Sequence, residues 1–576
     1  MRILLLCSAF NGLTQRAWLE LRHDGHDVSV EFALDADVMV SAVARFEPDL
    51  IICPFLRERV PSEIWTRYRT IIVHPGPRGD RGPSSLDWAI STAESQWGVT
   101  ALQAVEEMDA GPIWGSRTFP LGPGERPKSA LYNGPVADAA IELIREVVAK
   151  AGDPSFTPQP LDYTKPDVIG RLRPAMRAAD RQFSWSDSAD EILRRIRAAD
   201  GSPGARATLC GLPVAVFDAH PGPTLPGRPG TILLRHHDAV LVRAGDGGVW
   251  IGQVRTEGAV KLPATTALAR RLNGVPEVLQ PFDGPADHVG RREIGYARQG
   301  DVGVLSIDFY NGAMSTGQCR RLSTALRHAT SQPTRVLVIR GNDVLSNGIH
   351  LNVIDAAPSP SFEAWRNINA IDDVCHEIIT CTTQLVVTSV RGSAGAGGVM
   401  LALGADRVVL RDGAVLNPHY ATMGLYGSEY WTYVLPRRVG DIEAAALTQQ
   451  CLPIGAARAN RIGLVDAVLP ASRTEFDEWV LDYAAQLAGS DQYRQLLEQK
   501  RTARAAAERR KPLQAYRVEE LAEMSRDIFD DRNDFAGLRR AFTTKQKPTA
   551  TPSRLADHRP APPATVQREV APRFAG

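Results

Sequence analysis

Apolar and polar positions alternate with two different periods along residues 1 to about 120. The runs RILLLCSA, DVSVEFAL, DLIICPF, TIIVH and WGVTALQAV are short and apolar, as buried strands are. Between them lie segments such as TQRAWLELRHDGH, whose apolar residues recur at helical spacing. This alternation predicts a mostly parallel, doubly wound α/β sheet with helices on both faces. Residues 180–262 change character. A helical piece, SADEILRRIRAAD, precedes the runs LPVAVFDAH, GTILLRH, AVLVRAG and GVWIGQVR, which Gly, Pro and Asp turns separate. That pattern predicts a small β-barrel. From about residue 295 the strands VGVLSIDF, TRVLVIRG and QLVVTSVRG open a third region, whose second half is helix-rich. The chain then runs out in KQKPTATPSRLADHRPAPPATVQREVAPRFAG, too poor in apolar residues to build a core. The organisation expected is multidomain α/β, with domains at 1–165, 175–262 and 290–548, a disordered tail at 549–576 and no internal repeat.

Composition adds limits. A chain of 576 residues exceeds what one core sustains. Its 66 basic and 66 acidic residues cancel, which argues against a broad nucleic-acid surface but leaves room for a local basic pocket. Cysteines stand at 7, 53, 210, 319, 375, 381 and 451, with no Cys-x-x-Cys pair. Neither a disulfide framework nor a metal site is predicted, and a reducing cytoplasmic setting fits. The opening MRILLLCSAF lacks the apolar length and cleavage site of a signal peptide. No run approaches the roughly 18 apolar residues of a membrane span.

The stretch TIIVHPGPRGDRGPSSLDWAI places His74 where a strand stops and a Pro/Gly loop begins. Ligands of open α/β sheets bind outside the carboxyl ends of strands, so His74 is a candidate acid–base group. A surface histidine in a turn reads the same way. After the strand VTALQAV, Asp109 opens an Asp-Ala-Gly-Pro turn. A carboxylate and an imidazole at loop ends suit acyl transfer, although Asp-x-Gly is also ordinary turn sequence. The two motifs in this order resemble the folate-dependent formyltransferases, whose pattern is Asn-x-His-Pro and then Asp-x-Gly-Pro. ICPFLRERVP resembles that family's pterin-pocket segment. IRAADGSPGA and PGTILL resemble the C-terminal OB-like barrel of methionyl-tRNA formyltransferases, so the likeness covers about 1–262. The resemblance implies 10-formyl-tetrahydrofolate as the bound cofactor, with Cys53, Pro54, Phe55 and Leu56 at the pterin. It implies that His74 polarises the formyl group and that Asp109 orients His74. One departure stands out: the family's Asn falls at Ile72, which puts ordinary transfer to an amine in question.

A second set of loops follows. VRGSAGAGGVMLALGAD places Gly395, Gly397 and Gly398 between a strand and a helix. The dinucleotide fingerprint fails, because its last glycine position is Met400. Earlier, VLVIRGNDVLSNGIHLNVID sets Ser346 to Ile349 between another strand and helix. Two such loops can aim two backbone N–H groups at one thioester oxygen. Together they resemble the crotonase (enoyl-CoA hydratase/isomerase) superfamily, and DRNDFAGLRRAFTTKQKP resembles its C-terminal helix, so the likeness spans roughly 295–548. The resemblance implies a crotonase-like α/β domain that binds coenzyme A through Asn347, Gly348, Gly398 and Lys545, with Ile349 and Gly397 donating to the oxyanion. The two hydratase glutamates fall at Met400 and His419, so water addition to an enoyl thioester is not expected. NPHYATMGLYGSEYWTYVLP instead gathers His419, Tyr420, Glu429, Tyr430 and Tyr433. A helix from Ser428 would put Glu429 and Tyr433 on one face. Structural tyrosines in a core would look the same. As catalysts, Glu429 or His419 would take a proton and Tyr420 or Tyr430 would give one; the sequence does not rank them.

A formyltransferase module joined to a crotonase module resembles maturation factors of nickel–iron hydrogenases. The resemblance implies formyl transfer from 10-formyl-tetrahydrofolate to coenzyme A, then decarbonylation of formyl-CoA to the CO ligand of the metal centre. Implied partners are small-molecule substrates and hydrogenase maturation proteins or the large-subunit precursor, with no nucleic acid and no membrane. Two readings compete. One is a methionyl-tRNA-type formyltransferase, or a 10-formyl-tetrahydrofolate hydrolase, with an appended CoA-binding domain. The other is a scaffold without turnover.

Overall fold

The computed structural model describes residues 1–122, 126–279, 281–284, 291–470 and 472–559. Residue 290 and residues 560–576, at the predicted limits of the third domain and the tail, lie outside the described residues. The chain forms two compact units. The first comprises residues 1–257, 267–276 and the described part of the chain from 547; the second comprises 258–266 and 277–546.

In the first unit, β1 (Arg2–Cys7), β2 (Asp27–Phe32), β3 (Leu50–Cys53), β4 (Thr70–His74), β5 (Gln96–Gln103) and β6 (Ile113–Pro120) form one sheet in the order β2-β1-β3-β4-β5-β6. The strands β1 to β4 run parallel, and β5 and β6 are antiparallel to their neighbours. The link from β5 to β6 is shorter than the dozen or so residues that a parallel return takes, so the two form a hairpin. The apolar pattern does not predict β6, whose outer half faces solvent. Leu4, Leu6, Ile51 and Cys53 pack against Met39, Val43 and Phe46 of the helix Ala36–Phe46. A second sheet follows, with β7 (Ala205–Leu209), β8 (Leu212–Gly222), β9 (Ile232–His236), β10 (Ala239–Arg243) and β11 (Gly248–Thr256). Its order is β7-β8-β11-β10-β9, antiparallel throughout. The helix Ala189–Ala199, capped by Ser188 on the N–H of Glu191, buries Ile192, Leu193 and Ile196 and packs on β8.

The second unit is built on a six-stranded sheet. Its order is Ile294–Gln299, Val302–Ile307, Val336–Gly341, Leu385–Val390, Arg407–Arg411 and Ala467–Leu469. All but the first pair run parallel. The helices Thr316–Ser331 and Pro360–Thr380 pack together beside it. A capping box between Ser315 and Gln318 fixes where the first of these begins. The outer strands Ile294–Gln299 and Ala467–Leu469 carry exposed or half-exposed residues and give no apolar run to read.

The tail departs from expectation. Composition predicts that residues 549–559 stay disordered, yet they dock along β2, the edge strand of the first sheet. Val30 N donates to Leu555 O at 2.9 Å, and Phe32 N donates to Thr551 Oγ1 at 2.9 Å. The buried Glu31 carboxylate binds the Thr551 hydroxyl, His558 Nε2 at 2.9 Å and Arg559 Nη2 at 2.6 Å. Counting apolar residues missed this segment because charge pairing and edge hydrogen bonds hold it. Among the described residues no helix is long and apolar enough to cross a membrane.

Candidate functional site

The first unit holds a cavity of about 680 Å³ at the carboxyl end of β4. His74 and Asp109 line it, as do Pro54, Phe55 and Leu56 on the loop after β3. Cys53 is not part of the wall; its thiol is turned into the core behind the cavity. Residues two apart on a strand share a face, so Ile72 faces the cavity beside His74. The family's amide position is therefore in place and carries an aliphatic side chain.

His74 is buried and has a carboxylate at each ring nitrogen. Nε2 is 2.8 Å from Asp80 Oδ2, and Nδ1 is 3.6 Å from Asp109 Oδ2. Burial pulls the imidazole's pKa down, but the hydrogen bond to Asp80 and the charges of Asp109 and Asp80 outweigh it, so the net shift is upward. The two carboxylates thus favour the charged ring against its burial. Asp109 is fixed by the N–H of Gly82, which donates to Oδ2 at 3.1 Å. At 3.6 Å the Nδ1 contact is an ion contact and not a hydrogen bond.

Sequence reasoning missed Asp80. Its signal is a loop of glycines, with Gly76 and Gly79 between His74 and Asp80. A Cβ at Gly76 would collide with both the Asp80 carboxylate and the His74 ring, so only glycine lets this loop fold back.

In the second unit the two predicted loops lie together. Leu345 N donates to Ser393 O, and Gly395 N to Ser346 O, each at 2.9 Å. A Cβ at Gly398 would collide with the Ser346 carbonyl. Gly397 opens the helix Gly397–Leu403, so its N–H has no acceptor within that helix. A Cβ built on Gly348 would stand 3.3 Å from the Gly397 nitrogen, which shows how closely the two loops approach. A Cβ at Gly397 would strike the Glu429 carboxylate.

Glu429 is buried, and Tyr420 Oη donates to its Oε2 at 3.0 Å. Burial pushes the carboxyl up, Asp372 pushes it further, and hydrogen bonds from Tyr420 and Ser428 hold it back; the result is about 8. Tyr420 itself is driven well above the ordinary phenol range by burial and by Glu429, so it stays a donor. Tyr430 gives its N–H to Glu520 at 2.9 Å, and its ring lies near His376. His419 sits beside Gly395, which lies in the same loop as Gly397. Its Nδ1 is 2.8 Å from Asn417 O, and its Cε1 would lie 3.0 Å from a Cβ on Gly395, on the Asn347 side.

One expectation needs correction. The helix begins at Trp431 and not at Ser428, because Glu429 and Tyr430 both have left-handed backbones. Glu429 and Tyr433 therefore share no helical face, and Tyr433 Oη is taken by Arg504 at 2.6 Å. Lys545 is exposed, two residues past the helix Phe535–Thr543. That helix docks on Leu351–Ala356, just beyond Ile349, through Arg539 Nε to Asp355 at 3.1 Å and Thr543 Oγ1 to Asp355 at 2.9 Å. Met400 is a core residue. Asp372 and Glu520 were also missed; each is a charge set into the apolar stripe of an amphipathic helix.

Comparison with known proteins agrees with this anatomy. Residues 301–549 match the enoyl-CoA hydratase/isomerase family, and residues 175–272 match the formyl transferase C-terminal domain. A methionyl-tRNA formyltransferase of Acidiphilium cryptum is 30% identical over 261 residues, 45% of this chain and 78% of the relative. Fold and sites thus define a formyltransferase module and a crotonase-like module in one chain. Over nearly its whole length the chain is 44% identical to the hydrogenase maturation factor HoxX of Bradyrhizobium diazoefficiens, covering 97% of both. The crystal structure of HypX from Aquifex aeolicus in complex with tetrahydrofolic acid is similar at a TM-score of 0.94 and 39% identity, over 97% of this chain and 99% of that one. The chain belongs to the HypX/HoxX family of hydrogenase maturation factors.

Proposed function

We propose that this protein makes the CO ligand of the nickel–iron centre from 10-formyl-tetrahydrofolate in two steps. In the first, the coenzyme A thiol attacks the formyl carbon. The carbon–N10 bond breaks, a carbon–sulfur bond forms, and the thiol proton ends on N10. In the second, formyl-CoA loses its formyl proton and its carbon–sulfur bond together, giving CO and the free thiol. The reading is supported by tetrahydrofolate in the crystallised relative and by the cavity that His74, Asp109 and Ile72 line here. A thiol needs no amide to assist amine attack, which suits Ile72. The His74 imidazolium donates from Nδ1 to the formyl oxygen as negative charge develops there. Asp109 and Asp80 keep the ring charged and oriented.

The observation that carries the second step is the Glu429 carboxyl buried against Gly397. The N–H groups of Gly397 and Ile349 hold the thioester oxygen. Glu429 Oε1, on the Gly397 side, takes the formyl proton and returns it to sulfur. Tyr420 steadies the other oxygen. A carboxyl near 8 is basic enough to accept a proton and acidic enough to release one. Asn347, Gly348, Gly398 and Lys545 accommodate the nucleotide end of coenzyme A, and Pro54, Phe55 and Leu56 the pterin. CO passes to a hydrogenase precursor or another maturation protein. Incubation with 10-formyl-tetrahydrofolate, with and without coenzyme A, tests this by spectroscopic trapping of CO. CO that appears only with coenzyme A supports it. Formate in place of CO would make the protein a hydrolase and overturn it.

A further inference from the structure

The segment that carries Glu429 has an awkward backbone. Glu429 has φ 61° and Tyr430 has φ 59°, two consecutive side-chain-bearing residues in the left-handed region. Such a pair does not hold itself; its surroundings must fix it. Two carboxylates with no solvent exposure do so from separate helices. On Pro360–Thr380, Asp372 Oδ1 accepts from Ser428 Oγ and from Glu429 N, each at 2.8 Å. On Leu513–Phe529, Glu520 accepts from Tyr430 N at 2.9 Å and from Thr432 N at 2.8 Å.

Resting on the reading of Glu429 as the proton acceptor, we propose that Asp372 and Glu520 are positioning residues that lock the left-handed pair so that Glu429 faces Gly397. Plain structure would be served as well by neutral acceptors. A second and a third carboxylate buried beside Glu429 are instead mutually unfavourable, and each is pushed up: Asp372 to about 6 and Glu520 well above its ordinary range, burial being the main cause in both. After burial, Asp372 is the largest influence raising Glu429. The other groups facing Glu429 are Tyr420 and Ser428, Cys375 beside Asp372, Cys319 on Thr316–Ser331, and Glu520. Arg517 is the nearby cation, with Nε 3.7 Å from Asp372 Oδ2. Asp372 thus both aims Glu429 and keeps it reluctant to ionise.

The test supplies formyl-CoA directly to the full-length protein and follows CO release from pH 6 to 9.5, with melting temperature as the check on folding. Asp372→Asn keeps the oxygen acceptor and removes the charge. Its alkaline plateau should stay near wild type while the rising limb moves to lower pH. Asp372→Ala should lose about a hundredfold on the plateau, as expected when a reacting group is displaced by about an ångström. A limb that does not move in Asp372→Asn overturns the proposal without relying on the alanine variant. So does a folded Asp372→Ala with a wild-type plateau. If the wild type forms no CO from formyl-CoA, the reading of the second step falls first and takes this with it.

Discussion

At the scale of single residues, His74 gathers charge from two sides and Glu429 resists it, and each sets an expected outcome. His74→Ala and Asp109→Asn should abolish tetrahydrofolate release while tetrahydrofolate still binds, measured by calorimetry. In the proposed first step the imidazolium is the working form, and the ring's pKa is raised in the folded protein. Release should therefore persist at low pH and fall as pH rises through that raised value. Asp80→Asn should move this fall to lower pH, as a pH profile of tetrahydrofolate release would record. Gly397→Val should eliminate CO formation, because its side chain would displace the Glu429 carboxylate and fill the thioester's place. A variant with normal output would sink the second-site assignment. His74 and Asp109 were readable as candidates because one ends a strand at a Pro/Gly loop and the other opens an Asp-Ala-Gly-Pro turn a few residues past one. Asp80 was not, because its approach to His74 depends on how the glycine loop folds back. Glu429 was legible as a candidate but not in its direction. The inferred helix from Ser428 ignored that side chains in a left-handed pair leave the backbone along other lines.

At the scale of elements, buried strands announce themselves and edges do not. TIIVH is β4 residue for residue, whereas β6 is half polar and unread. The tail is the sharper case. Glu31 is pulled upward by burial, yet His558, Thr551 and Arg559 outweigh that and hold it below its ordinary value. The sign follows: this pairing stabilises the first unit above the ordinary glutamate range and is lost as pH falls through the lowered folded value. Glu31→Ala should strand His558 and Arg559, cost about 3 kcal/mol and release the tail. Limited proteolysis should then cut within 549–559 in the variant but not in the wild type at neutral pH. Equal resistance in both would show that the backbone bonds to β2 suffice.

At the scale of the whole molecule, the two modules are expected to yield to separate substitutions. With 10-formyl-tetrahydrofolate and coenzyme A, Glu429→Gln should still release tetrahydrofolate while CO falls by at least about a hundredfold, the size of a lost general base. His419→Ala should lower the ratio of CO to tetrahydrofolate less, since His419 stands on the Asn347 side. Equal effects of the two would mean that proton removal is shared. Module identity was legible because short motifs with strict spacing survive in one sequence. That the chain re-enters its first unit at 547 was not, because it depends on a charged partner hundreds of residues away. That return has a consequence for how the molecule is born. The docking partner of Phe32 leaves the ribosome 519 positions after it. At roughly 5–20 residues per second, β2 waits about half a minute to two minutes with an open edge and an unneutralised Glu31. A nascent chain that has not reached Thr551 keeps that edge open, so a segment made hundreds of residues later closes the first sheet laid down.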